Sequence, residues 1–193
     1  MSGAVDTQDW VEAGFDALAE GGIDRVRVEV LAQRLGVTKG GFYRRFRDRP
    51  ALLSAMLECW VEGRIEAIRQ QTELAGEPPT ERLLAIIRLF AQRPNARGMS
   101  IEVAVRQWAR SDAAAAAAVA QIDAIRLARV ARLYGALGFG EAEAQARALL
   151  FYAFIFGQTL LFPDVTSTQR EAMFTACADA LVDVRGQGAS GQA

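Results

Sequence analysis

Apolar residues recur along this chain at the three- and four-residue spacing of amphipathic α-helices, and no segment alternates with the two-residue period of a strand. The first helix is predicted over residues 6–20 and ends at Gly21-Gly22, since glycine commonly follows a helix C terminus. Two short helices are predicted next, over 28–35 and 39–46, with a tight turn at Gly36 between them. The pattern therefore predicts an N-terminal head of three helices.

Six further helices are predicted after the head. The fourth begins at Arg49-Pro50, because proline fits the first turn of a helix. The last residues, 186–193, have nothing to bury and are expected to be disordered. The chain is thus predicted to be all-α, with about nine helices in a head and a larger body. The remaining predicted helices cover 80–90, 100–110, 113–137, 141–162 and 167–184, with a loop over 95–99.

The composition narrows the chemistry that such a fold can carry. With 193 residues, 51% of them hydrophobic, the chain can form one or two domains with a real core. Histidine is absent, which removes histidine-based acid–base catalysis and the commonest transition-metal ligand. The segment 138–140 predicts a turn between helices and not a dinucleotide fingerprint. We therefore expect neither an enzyme nor a bound metal or cofactor.

Cysteine usage and hydropathy bear on where the protein works. Cys59 and Cys177 lie far apart within apolar helical patterns, so buried unreactive thiols are expected instead of a disulfide. The N terminus lacks the basic start and apolar run of a signal peptide. The most apolar stretch, 148–162, is shorter than the roughly 20 residues that span a bilayer. These features predict a cytoplasmic protein with no membrane segment.

Positive charge is concentrated in one segment. The whole chain has a formal net charge of −1, but residues 24–49 contain eight basic and three acidic side chains. Of the 22 basic residues in the chain, 21 are arginine and the remaining one is Lys39. A basic run is most often only a solvated face, so charge alone is weak evidence for nucleic-acid binding.

The spacing of small residues strengthens the case. Two helices can pack at a steep angle only if a small residue lies where they nearly touch and a glycine allows the turn between them. Ala32 and Gly36 supply these two features, four residues apart. Phe42 and Phe46 share one face of the third helix, because they are also four residues apart. The opposite face presents Lys39, Gly40, Tyr43, Arg44 and Arg47 to solvent. The alternative is an ordinary helical hairpin with a polar face.

Residues 31–52, LAQRLGVTKGGFYRRFRDRPAL, closely resemble the DNA-binding signature of the tetracycline-repressor (TetR) family. Ala32, the run 36–40, Tyr43 and Phe46 match in register, and Arg49 stands where the family usually has lysine. The resemblance covers about residues 8–55. It implies a helix-turn-helix DNA-binding domain over 1–48 and a helical ligand-binding and dimerisation domain over 49–185, followed by the disordered tail over 186–193.

The resemblance also implies roles for individual residues of the head. Lys39, Gly40 and Gly41 would lie in the major groove. Thr38, Tyr43 and Arg49 would contact phosphates. Arg44 and Arg45 would approach bases or backbone. Two positions depart from the family pattern. Arg27 replaces a threonine often found before the second helix, and Arg45 replaces a frequent histidine, so base preference does not carry over from relatives.

The body is predicted to hold a ligand and a partner subunit. Pockets are typically apolar with a few orienting polar groups, although most of the large residues here could equally be core. Helix eight is apolar nearly all round, which predicts burial on all sides, and the family usually dimerises through its last two helices. The candidate pocket residues are Trp60, Arg88, Arg106, Trp108, Tyr134, Phe151, Tyr152 and Gln158, and the candidate interface residues are Phe154, Leu161, Met173, Cys177 and Leu181.

The sequence therefore predicts a DNA-binding transcription regulator. Specifically, we expect a repressor that binds a pseudo-palindromic operator in duplex DNA as a homodimer and responds to a mostly apolar small-molecule effector. Two alternatives stay open at this point. One is a regulator of the same fold that acts through a protein partner or has lost ligand control. The other is an α-helical enzyme or carrier whose hairpin only resembles a DNA-binding motif.

Overall fold

The computed structural model describes residues 5–72, 77–91, 96–161 and 166–183. Over these ranges the chain forms nine α-helices and one 3-10 turn, with no strand, which confirms the predicted all-α fold. The helices are α1 (Thr7–Gly21), α2 (Val28–Arg34), α3 (Lys39–Tyr43), α4 (Arg49–Thr72), α5 (Pro79–Ala91), α6 (Ala96–Trp108), α7 (Ala113–Ala136), α8 (Glu141–Leu160) and α9 (Ser167–Val182), and the 3-10 turn is Ile23–Arg25. The tail predicted over 186–193 lies outside the described residues.

Side chains before the helices fix several of these boundaries. Asp6 accepts a hydrogen bond from the Asp9 N–H while Asp9 bonds back to the Asp6 N–H, a capping box that begins α1. Thr166 and Gln169 form the same arrangement at α9. Asp112 Oδ1 accepts from the Ala115 N–H at 2.9 Å, as the sequence predicted for α7.

Helix α6 corrects the predicted loop over 95–99, because it already begins at Ala96. Arg97 in its first turn explains the error. The helix dipole disfavours a cation at a helix N terminus. However, Arg97 donates from Nε to Asp16 Oδ1 and from Nη2 to Glu12 Oε2, both at 2.7 Å. These two tertiary ion pairs with α1 offset the local penalty. Helix α3 is also shorter than predicted and ends at Tyr43.

The chain divides into two compact units. Unit one comprises residues 1–66 and 95–122, so it joins the three-helix head to the first part of α4, to α6 and to the start of α7. Its core contains Trp10, Phe15, Leu18, Leu31, Phe42, Leu52, Met56, Trp60, Val105 and Ile122. The domain boundary predicted at 48/49 stays a prediction.

A buried carboxylate lies inside unit one. The Glu102 side chain is 2% exposed. Its Oε1 accepts from Arg106 Nε at 3.0 Å along α6, and its Oε2 lies 3.8 Å from Arg64 Nη1 of α4. A buried charge is tolerated only when it is paired. Arg106 pairs with Glu102 within α6, and Arg64 joins α6 to α4.

Unit two comprises residues 67–94 and 123–193. Its core brings together Leu83, Ile86 and Ile87 of α5 with residues of α7, α8 and α9. The Tyr134 hydroxyl donates to the Leu181 carbonyl oxygen at 2.9 Å, which joins α7 to α9. Burial raises the pKa of Tyr134 to about 12. No described helix is long and apolar enough to cross a membrane.

Two sequence expectations about burial are wrong in the single chain. Cys177 is exposed and Cys59 is only partly buried, so neither is a fully buried thiol. Helix α8 is not buried on all sides, because Leu149 and Leu150 are 61% and 60% exposed. The helix packs into the core along the face that carries Ala148, Phe151 and Ile155. That leaves the opposite apolar face open.

Candidate nucleic-acid interface

An aromatic cluster fixes the third helix on the head. Phe42 is fully buried, and its ring meets Trp10 of α1 edge-on at 5.3 Å and stacks with Phe46 at 5.4 Å. Such aromatic pairs add to the gain from area burial. With only five residues, α3 is too short to be stable alone. The cluster therefore holds α3 in place, and its opposite face is left to solvent.

The turn before α3 depends on one glycine. Gly36 has φ +67°, in the left-handed region that side chains rarely adopt. Val37 N–H donates to the Ala32 carbonyl at 3.0 Å, which closes the turn. This geometry confirms the sequence interpretation that Ala32 and Gly36 allow α2 and α3 to pack at a turn.

The outward face of α3 is the surface that the sequence predicted. Lys39, Gly40, Tyr43, Arg44 and Arg47 are all exposed. The Tyr43 ring lies against Phe42 at 5.2 Å, so its hydroxyl end extends outward from a supported base. Thr38 precedes α3 in extended conformation, and its side chain makes no capping hydrogen bond. The hydroxyl is therefore not used to begin the helix.

Several basic side chains of this surface already have partners. Lys39 Nζ donates to Glu29 Oε1 at 2.6 Å, and both residues are exposed. This hydrogen bond lowers the pKa of Glu29. Arg45 Nη2 donates to the Val5 carbonyl at 3.3 Å. Arg27 and Arg44 are exposed, and among the described residues neither side chain forms a hydrogen bond or a salt bridge, although the charge of Arg27 contributes to the lowered pKa of Glu29.

The Arg49 side chain is hydrogen-bonded to backbone carbonyls of the head. Its Nε donates to the Val26 carbonyl at 2.6 Å, and its Nη2 donates to the Ile23 carbonyl at 2.8 Å. It thereby ties the start of α4 to the segment before α2. The predicted phosphate contact of Arg49 stays a prediction.

The glycine pair of α3 is not required by the protein's own packing. A Cβ at Gly40 would lie 3.5 Å from Thr38 Oγ1, and one at Gly41 would lie 3.7 Å from Val37. Both are ordinary van der Waals distances. Glycine costs a helix interior about 1 kcal/mol relative to alanine, and packing within the described part of the chain does not explain the pair.

The predicted pocket residues are divided between the two units. Trp60, Trp108 and Arg106 belong to unit one, where both indoles are buried and Arg106 binds Glu102. Tyr134, Phe151 and Tyr152 belong to the core of unit two. Arg88 lies on an exposed face of α5, 3.6 Å from Glu81. Nothing is described of the Gln158 side chain. Whether these residues form one pocket stays a prediction.

Unit two also carries a groove of about 680 Å³ between α7 and α8. It contains none of the predicted pocket residues. Its lining consists of Leu127, Ala128, Ala131, Arg132, Gly135, Phe139, Glu141, Ala144 and Gln145.

The predicted dimer residues differ in exposure. Leu161 and Met173 are 67% and 54% exposed, and Cys177 is exposed. Phe154 instead packs its ring 5.0 Å from Phe174, and Leu181 is partly buried against the unit-two core. The exposed leucines of α8 were missed because an all-round apolar helix does not reveal which face its own chain covers.

Sequence reasoning also missed three charged residues of unit one. Glu29 binds Lys39, Arg97 joins α6 to α1, and Asp48 Oδ1 accepts from the Ala51 N–H at 2.9 Å. This last bond, followed by the one from Arg47, lowers the pKa of Asp48. Only Asp48 could have been predicted from local sequence. Aspartate is a favoured N-cap residue, and Asp48 directly precedes the helix that begins at Arg49.

Comparison with known proteins finds one family model that matches the head. Residues 11–56 match the family model of bacterial regulatory proteins, tetR family. The matched range contains the Gly36 turn and all of α2 and α3. No curated protein matches the sequence.

Solved structures share the fold over nearly the whole chain. A transcriptional regulator from Rhodococcus sp. Rha1 has a TM-score of 0.73 at 19% identity, covering 92% of this chain and 94% of its own. A TetR-family regulator from a Rhodococcus species has a TM-score of 0.72 at 20% identity, covering 92% and 98%. Regulatory protein TetR from Rhodobacter sphaeroides has a TM-score of 0.68 at 20% identity, covering 90% and 97%.

Proposed function

We propose that this chain is a dimeric, ligand-responsive repressor of transcription, because residues 11–56 match the tetR family model and TetR-family transcriptional regulators of solved structure share its fold. Proteins of this family are DNA-binding regulators and not enzymes. The repressor role, the operator, the dimer and the effector are parts of the proposal. Each is tested separately below.

The observation that carries the proposal is the outward face of α3. Its exposed basic and hydroxyl side chains stand on a helix that is held from behind by Trp10 and Phe42. A recognition helix needs this combination, since it must stay rigid while its outer residues reach base edges and phosphates. The glycine pair at 40–41 adds a place where the backbone itself could approach DNA.

A salt titration tests DNA binding. Sequences selected from a random duplex pool should bind with an affinity that falls steeply with salt, because phosphate contacts release counterions. Binding measured by mobility shift should be sequence-dependent at every salt concentration. If no sequence is preferred at any salt, the DNA-binding proposal is wrong.

A homodimer is supported by the open apolar faces of α8 and α9. Leu149, Leu150 and Met173 are exposed on these two helices of one unit. A symmetric pair would cover them and would present two heads to half-sites one helical turn apart. Light scattering should give a dimer at micromolar concentration, and Leu149→Arg should give a monomer. Leu89→Arg is the matched control, because Leu89 is an exposed leucine of α5.

Ligand response is supported by a buried donor in unit one. Trp60 is 3% exposed, and its indole Nε1 has no hydrogen-bond partner among the residues that the structure describes. A buried N–H without a partner costs free energy, and an acceptor on a mostly apolar effector would remove that cost. A route to the head exists in the same unit, because Trp60 lies on α4, whose first residue Arg49 donates to the Val26 and Ile23 carbonyls of the head.

Linkage provides the test of the effector. Small molecules that raise the melting temperature are first identified by screening, and their affinity is then measured with and without operator DNA. Coupling is reciprocal, so an inducer should bind the protein–operator complex more weakly by the factor by which it weakens DNA binding. A complete 1:99 to 99:1 switch requires about 5.5 kcal/mol of differential binding. Equal affinities would show that the compound is not an inducer.

A further inference from the structure

The Lys39–Glu29 ion pair places a donor and an acceptor side by side on the predicted DNA-binding surface. Lys39 Nζ and Glu29 Oε1 are 2.6 Å apart. Lys39 is the first residue of α3, and Glu29 lies in the first turn of α2. Both side chains are more than half exposed. An acidic side chain beside a groove-reading lysine is unexpected on a surface that must approach phosphates, so it needs an explanation.

Stability does not explain the pair. Exposed ion pairs contribute little to folding, since water solvates both charges well. The head also holds a comparable pair, Arg34 with Glu20, whose side chains join α2 to α1. The Glu29–Lys39 pair instead joins α2 to α3, and both of its side chains are exposed on the surface of the head.

The chemistry of a G·C base pair matches this arrangement. In the major groove guanine presents the acceptors O6 and N7, and cytosine presents the N4 amino donor. Guanine O6 and cytosine N4 are about 3 Å apart, because a hydrogen bond of the base pair joins them. Lysine is a common partner of guanine O6 and N7, and glutamate accepts from cytosine N4. Lys39 and Glu29 can therefore meet both bases while staying paired with each other.

We propose that Glu29 and Lys39 together read one G·C base pair in each operator half-site, with Lys39 on the guanine and Glu29 on the cytosine. This inference rests on the proposed DNA-binding function and deepens it. An A·T pair fits less well, since adenine N7 lies beside the N6 amino donor and not beside a second acceptor, so the purine offers the lysine one acceptor where guanine offers two. Glu29 is thus a specificity-determining residue. Its negative charge weakens binding to phosphates of any sequence, while its carboxylate accepts a hydrogen bond from cytosine N4 at one position.

The experiment compares DNA selected from a random duplex pool by four full-length proteins: wild type, Glu29→Ala, Lys39→Ala and Glu20→Ala. Glu20→Ala is the matched control, because it removes the same charge from an exposed ion pair of the head. Circular dichroism checks that all four are folded. Affinities are then measured for the selected site and for the site with the G·C pair replaced by A·T.

We expect wild type and the control to select G·C at one position of each half-site. Glu29→Ala should lose preference at that position alone, by a factor of about 5 to 150, while its affinity for unrelated DNA rises. Lys39→Ala should lose preference at the same position. The proposal is overturned if Glu29→Ala selects the wild-type motif at every position. It is also overturned if the position that depends on Glu29 prefers A·T. A wild type that selects no motif overturns the DNA-binding function itself, and with it this inference.

Discussion

Two glutamates of unit one pair with basic side chains, yet their surroundings differ completely. Glu29 is 61% exposed and binds Lys39 on the surface of the head, whereas the Glu102 side chain is 2% exposed between Arg64 and Arg106. In water the surface pair is easily exchanged for another partner. Once buried, a carboxylate cannot lose its cations without a large desolvation penalty. The same residue type thus has a structural role at Glu102, and recognition is the role that we propose for it at Glu29.

Charge is available to a ligand on the head but not around Glu102. On the head, basic side chains carry their charges where a phosphate or a base can replace the present partner. Around Glu102 the charges are committed to joining α4 and α6. We therefore expect substitutions in the first region to change DNA binding, and substitutions in the second to change stability.

The largest expected effect is at the buried carboxylate. Glu102→Ala should lower the free energy of unfolding by about 3 kcal/mol, because it leaves partly buried arginines without their carboxylate. Urea denaturation measures the loss. Glu81→Ala is the control, since Glu81 forms an exposed ion pair with Arg88, and it should change stability by less than about 0.5 kcal/mol. Equal effects of the two substitutions would contradict the contrast.

On the head, Lys39→Ala and Tyr43→Ala should impair operator binding while leaving the denaturation midpoint and the dimer intact. Tyr43→Ala should weaken binding to all sequences nearly equally if it removes a phosphate contact. Loss of a base contact at Lys39 should instead reduce discrimination by a factor of about 5 to 150. Competition titrations with selected and unrelated duplexes separate the two effects. Wild-type operator binding by both variants would mean that α3 is not the recognition helix.

A third prediction concerns a buried hydroxyl of unit two. Tyr134→Phe should cost about 1 kcal/mol, since it leaves the Leu181 carbonyl without its donor. The folded pKa of Tyr134 is raised to about 12 from an ordinary value of 10. The neutral hydroxyl therefore contributes stability below pH 10 that is lost as the pH rises toward 12. Urea denaturation at several alkaline pH values should show a weaker decline for the variant than for wild type.

The smallest expected effect on stability has the opposite sign. Gly40→Ala should stabilise the protein by up to about 1 kcal/mol, because alanine is the better helix former and its Cβ meets only Thr38 at 3.5 Å. The same change should weaken DNA binding if the backbone approaches the groove. Gly36→Ala is the matched control and should destabilise, since Gly36 has φ +67°. Unchanged DNA affinity of Gly40→Ala would show that the glycine pair has no role at the interface.

Local sequence was enough to determine the head. The spacing of Ala32 with Gly36 predicted the turn between α2 and α3, and that of Phe42 with Phe46 predicted the buried side of α3. The structure confirms both. Such periodicity is a property of the helix itself, so it can be read from neighbouring residues. The all-α class, most helix boundaries and the exposed basic face follow for the same reason.

Only tertiary structure decided what depends on distant partners. Arg97 lies in the first turn of α6, where its charge is locally unfavourable. It is stabilised there by ion pairs with Glu12 and Asp16, which are more than 80 residues away in sequence. Lys39 lies against Glu29 on another helix, and α8 shows its leucines because its core-facing side is fixed by α7 and α9. Pairing between elements is set by how they pack, and helical periodicity alone carries no information about which charged or apolar faces will meet.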